Sequence, residues 1–187
     1  MKDKIYQFLT KPYSVVAVIL VATLLSLADR NFGYFFGLGV VLFLAKKEKW
    51  DWANFGFGRK ISFQTVIKSL WLAILFFLGS SLIDTFLQQY FGDFNLSSLD
   101  DIRGDFGNYA IIMVVMWVFA AFGEELLFRG YYTQRFAKLF GDSNTAWIAS
   151  IILIDIYIGL SHSYQGTAGA IAVTLSGFFF YVVNYTN

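Results

Sequence analysis

The chain has 187 residues, of which 57% are hydrophobic, 20% aromatic and only 14% charged, and its mean hydropathy is +0.58. A soluble domain is usually about a quarter charged and under half apolar, so this chain has too few polar side chains to cover its own surface and needs lipid as part of its solvent. A formal net charge of +1, with no basic stripe interleaved with aromatics, argues against a nucleic-acid partner, and the absence of cysteine excludes disulfides and thiolate metal sites.

Backbone groups in lipid must pair internally, which leaves helices or a closed barrel. Long apolar runs without strict alternation choose helices. The apolar segments run over Tyr13–Ala28, Phe32–Ala45, Phe63–Phe91, Tyr109–Phe122 with a helical continuation, Ala146–Leu160 and Ala168–Val183. The expected fold is therefore all-α: a multi-pass transmembrane bundle of about six helices. Several segments fall short of the ~20 residues of an ordinary span and need snorkelling flanks or helical extensions.

Lys2, Lys4, Lys11 and Pro12 precede the first segment, which ends in Ser26-Leu27-Ala28, loosely like a signal-peptidase site. A second apolar segment follows at once, so a retained helix is expected rather than a cleaved leader. The loop after the second segment carries Lys46, Lys47, Lys49, Arg59 and Lys60 against Glu48 and Asp51. Its Trp50, Trp52, Phe55 and Phe57 suit a segment anchored at the headgroups. The third segment contains Asp84 beside Ser80 and Ser81, which reads as a carboxyl bonded to a neighbouring helix.

The fourth segment carries Glu124 and Glu125 inside an apolar run, followed by Arg129-Gly130. A charge at the centre of a membrane helix costs about 2.5–3.5 kcal/mol on insertion scales, so this pair lies near an interface or faces a polar cavity with partners. Glu125 and Arg129 are four apart and share a face as an ion pair. Glu124 points about 100° away on an α-helix and is left to titrate as a general base. The same residues also fit an interfacial Glu/Arg cluster where the helix leaves the bilayer.

Gly141-Asp142-Ser143-Asn144 reads as a cap, turn and cap between the fourth and fifth segments. His162, the sole histidine, ends the fifth. Glu124 and His162 lie nineteen residues on either side of position 143, so two continuous helices would bring them face to face at equal depth. Asp155 lies mid-segment, about 10 Å from His162 by helical rise, too far to orient it. In the sixth segment Ala168, Ala172 and Ser176, with Gly169 and Gly177, form a close-packing face. Basic and non-basic loops alternate, with Arg129, Arg135 and Lys138 on one side and Asp93, Asp100, Asp101 and Asp105 with Arg103 on the other. The positive-inside rule then gives a cytoplasmic N-terminus, in an integral protein expected in the plasma membrane.

Glu124-Glu125-Leu-Leu-Phe-Arg129-Gly130 resembles the EExxxR motif of the CPBP (Abi) family, the type II CAAX prenyl endopeptidases and bacteriocin-processing enzymes. His162 resembles the histidine of that family's FxxxH motif, with Ile158 in place of the phenylalanine. The resemblance covers residues 107–187 as a catalytic region, with 1–106 as amino-terminal transmembrane helices and the basic loop. It implies an intramembrane endopeptidase acting on membrane-associated peptides or CAAX-like C-termini, with Glu124 activating water, His162 positioning it or stabilising the oxyanion, and Glu125 and Arg129 organising the site. The partners implied are lipid and a peptide or protein substrate. Cofactor use is open in the family: zinc would fall to Glu124 and His162, a thin set beside the three protein ligands of catalytic zinc. The family's later HxxxN-type motif has no counterpart, because Asn184 and Asn187 come without a second histidine; an incomplete sequence is the expectation. The alternative is a catalytically inactive member acting in bacteriocin self-immunity or as a membrane scaffold. A transporter ranks behind both, since nothing resembles paired broken helices.

Overall fold

The computed structural model describes residues 2–58, 61–102 and 104–185. Arg59, Lys60, Arg103 and Asn187, which enter the charge and motif readings, lie outside them. The helices are α1 (Lys2–Leu9), α2 (Ser14–Ser26), α3 (Arg30–Lys47), α4 (Phe63–Phe91), α5 (Phe106–Val115), α6 (Gln134–Leu139), α7 (Asn144–Ser161) and α8 (Gly166–Tyr185), with α5 and α6 joined by further helix of wider winding. Every expected apolar segment is helical, and no strand occurs among the described residues.

Among the described residues, three helices qualify as spans by length and composition: Phe63–Phe91, Phe106–Leu139 and Asn144–Ser161. The bent pair of α1 and α2 raises the number to four. Helices α2 and α3 fall short of that test for physical reasons. The 13 residues of α2 are short for a bilayer, and α3 carries Arg30, Lys46 and Lys47 at its ends. Both need flanking side chains that snorkel.

The chain forms two compact units, the first from 1–58 and 106–154, the second from 59–105 and 155–187. In the first, α1 and α2 meet at 99°, with Pro12 at the break, where its missing N–H leaves no helical bond to lose. Ser14, fully buried just beyond, has its hydroxyl 2.7 Å from the Lys11 carbonyl and 3.0 Å from that of Leu9. Helices α2 and α3 form a hairpin whose second arm starts at Asp29, which accepts the Asn31 N–H at 2.8 Å. Close approach depends on two glycines one turn apart on α3. A Cβ at Gly33 would run into the Ala22 carbonyl and the Ser26 hydroxyl. One at Gly37 would lie 2.7 Å from the Tyr132 hydroxyl and 3.0 Å from Leu127. Small residues of this kind are how helices without a hydrophobic driving force pack in lipid.

In the second unit α4 begins at Ser62, whose hydroxyl accepts the Thr65 N–H at 3.1 Å, a standard amino-terminal cap. It packs on α8, with Phe76 and Phe179 at 5.4 Å between ring centroids. The small residues of α8 serve packing, as their spacing suggests. Gly177 lies against Asp155, which is buried, and Gly159 lies against Thr174 and the Ala170 carbonyl. Ala172 and Ser176 line a cleft of about 90 Å³ with Gly79, Ser80 and Asp84 of α4.

Candidate active site on the paired-glutamate helix

The helix that carries the glutamates does not keep α winding. Met116–Gly123 and Glu125–Thr133 are π-helical, flanking Glu124 on both sides. The Glu124 N–H reaches back five residues to the Phe119 carbonyl, and also to that of Ala121. π winding is rare, occurs mostly as single turns and concentrates at functional sites. This corrects two expectations. The 100° step between Glu124 and Glu125 belongs to an α-helix, and equal residue counts around position 143 no longer measure equal depth.

The Glu125–Arg129 ion pair is present, as the spacing predicts. Both glutamates and Arg129 are half-buried. The apolar residues from Phe106 to Phe122 are mostly exposed, whereas Leu126–Phe128 and Gly130–Thr133 are buried. Glu124 therefore sits where a lipid-facing stretch of helix gives way to one packed in protein.

Tyr34 of α3 meets this junction. Its hydroxyl donates to the Phe119 carbonyl at 2.7 Å, the same carbonyl that holds the Glu124 N–H, and the Glu124 carboxylate lies within electrostatic reach of it. A Cβ on Gly123 would strike that hydroxyl. Nothing in the sequence separates Tyr34 from the other ten tyrosines; the one legible hint is a glycine directly before the glutamate pair. Tyr34→Phe is expected to cost about 1 kcal/mol, the net worth of one hydrogen bond. Gly123→Ala should cost about 1–3 kcal/mol by overpacking, and less in the Tyr34→Phe background, because the atom it strikes is gone. Chemical denaturation of the two single variants and the double variant measures this coupling; strict additivity would mean the contact is not made.

The aromatic loop is partly an anchor and partly core. Trp50 remains 48% exposed, as a headgroup-level ring should be, but Phe55 is buried. Its carbonyl would lie 2.9 Å from a Cβ on Gly130, so this glycine admits the loop backbone. Trp52 and Phe57 pack against Phe122 at 6.2 and 5.3 Å between ring centroids. The reason is local. Asp51 caps a short 3-10 turn by accepting the Ala53 N–H at 3.2 Å, and Gly56 ends it at φ +88°, which folds the loop back onto the glutamate helix.

His162 follows the end of α7, with its N–H on the Gly159 and Ile158 carbonyls at 3.0 and 3.2 Å. Its Nδ1 lies 2.9 Å from the Ile158 carbonyl. A carbonyl only accepts, so Nδ1 donates in this contact and Nε2 is the ring nitrogen left for other partners. Ile158, which departs from the family's phenylalanine, still supplies the backbone oxygen that orients the ring. Glu124, Glu125 and Arg129 thus stand together in the first unit; His162, with Asp84 and Asp155, belongs to the second. Among the described residues no three His, Asp or Glu side chains converge as a metal ion requires, so zinc has no fitting ligand set there.

Fold and motif define a class: a helical membrane protein with a glutamate pair and an ion-paired arginine on a π-wound segment. Residues 106–187 match the family model described as type II CAAX prenyl endopeptidase Rce1-like. No curated protein and no solved structure matches it.

Proposed function

We propose that the protein is an intramembrane endopeptidase of the CPBP type, cleaving membrane-associated peptides or CAAX-like C-termini. The observation that carries the reading is the division of labour in the glutamate pair. Arg129 engages Glu125, and the adjacent Glu124 is fixed through its own N–H at a half-buried junction between lipid-facing and packed helix. In the proposed reaction Glu124 takes a proton from water as the oxygen attacks the scissile carbonyl, then delivers it to the leaving amine. Its likeness to the FxxxH histidine is what assigns His162, through Nε2, the role of positioning that water. If the ring takes up a proton, the same nitrogen donates to the developing oxyanion. Glu125 and Arg129 organise the turn. The Rce1-like match over 106–187 supports the same chemistry.

The test is cleavage of a CAAX-type peptide and of a leader peptide by the protein in liposomes, followed by mass spectrometry. Cleavage by the unaltered protein and its loss in His162→Ala are expected. Full cleavage by His162→Ala would remove the imidazole from the mechanism, and failure of the unaltered protein on every peptide tried would favour a binding or immunity role.

A further inference from the structure

A polar cavity of about 260 Å³ opens in the first unit, one turn beyond Arg129. Gln134, Arg135 and Lys138 wall it from the helix, Asn54 and Glu48 from the aromatic loop, and Thr10 from the bend between α1 and α2. Arg135 is pinned in place: it donates to the Thr10 carbonyl, and its guanidinium carbon lies 5.6 Å from the centroid of the Tyr131 ring. Glu48, the one carboxylate in the wall among the described residues, accepts from the Asn54 amide at 2.7 Å. Two cations therefore face a single anion that is already engaged. Arginine and lysine with neutral amide donors are the set that suits a phosphate. The cavity's depth adds a second argument. The loop that forms one wall carries the exposed Trp50 and Lys49, directly after Lys46 and Lys47 at the end of α3, the mixture that marks the headgroup level of a bilayer. Anionic headgroups at a basic membrane face are held by such pockets.

We infer that this cavity binds the headgroup of an anionic phospholipid, its phosphate against Arg135 and Lys138 and its polar remainder toward Gln134 and Asn54. The inference is independent of any peptidase activity. It has a structural consequence, because a seated headgroup braces the helix directly after the Glu125–Arg129 pair and ties it to the aromatic loop.

The test is thermal unfolding of the full chain in detergent, followed by tryptophan fluorescence, with phosphatidylglycerol, phosphatidylcholine or soluble glycerol 3-phosphate added. Ligand that binds only the folded state raises the midpoint. Phosphatidylglycerol should raise it by several degrees more than phosphatidylcholine, and Lys138→Gln should erase most of that increment. Equal shifts with the two lipids, or an increment unchanged in Lys138→Gln, would overturn the site. A shift with glycerol 3-phosphate equal to that with phosphatidylglycerol would assign a free phosphate ester and overturn the lipid. Arg135→Gln also removes the bond to Thr10 and can unfold the chain, so Asn54→Asp, which adds a second carboxylate to the wall, is the companion variant; it should weaken the phosphatidylglycerol increment, and an unchanged increment counts against the site.

Discussion

Glu124→Gln is expected to lower peptide hydrolysis by about a hundred- to ten-thousand-fold, the range that a positioned general base contributes, with an unfolding midpoint close to that of the parent. The amide has nearly the same shape as the carboxyl but cannot take a proton. The backbone bond from residue 124 to the Phe119 carbonyl is untouched by the change. Glu125→Gln is the control that gives the comparison meaning. It removes one partner of Arg129, weakens the compensation of the half-buried guanidinium, and should lower stability more than Glu124→Gln while reducing the rate by a smaller factor. The measurement is kcat and KM for both variants beside their melting midpoints. Glu124→Gln cleaving at the parent's rate would falsify the assignment of the base, and full biological effect from a protein that no longer cleaves would point to the non-catalytic alternative.

The largest effect on stability is expected from Gly33→Ala, at about 3 kcal/mol or somewhat more, the upper end of overpacking. The contrast with Gly123 explains why. At Gly123 the obstacle is the end of the Tyr34 side chain, which can be shortened or turned. At Gly33 a Cβ meets the Ala22 carbonyl as well as the Ser26 hydroxyl, and backbone moves only if α2 and α3 separate. Ser26→Gly should therefore fail to restore Gly33→Ala, whereas Tyr34→Phe should soften Gly123→Ala. Melting midpoints in detergent for both pairs decide it; rescue of Gly33→Ala by Ser26→Gly would show that the hairpin is looser than its spacing indicates.

Particular residues mark how far local pattern reaches. The span Phe63–Phe91 is readable to the residue because an unbroken apolar run ends at Gly92, and the run after Asn144 is readable because turn-forming residues precede it. The Glu125–Arg129 pair follows from a four-residue spacing that survives the change of winding. The role of Phe55 is not legible in this way: a phenylalanine beside tryptophans and lysines reads equally as anchor or core, and only its place against Gly130 decides between them.

The sequence by itself therefore determined the helical class, the location of each long apolar helix and the presence of a paired acid with its arginine. Those depend on local apolar windows and residue spacing, which need no partner to be read. Tertiary structure alone decided the π winding around Glu124, the arrival of Tyr34 at Phe119, the folding of the aromatic loop and the polar cavity beside Lys138. Each arises from surfaces far apart in the chain coming into van der Waals contact, and pattern within one segment carries no record of what will lie against it.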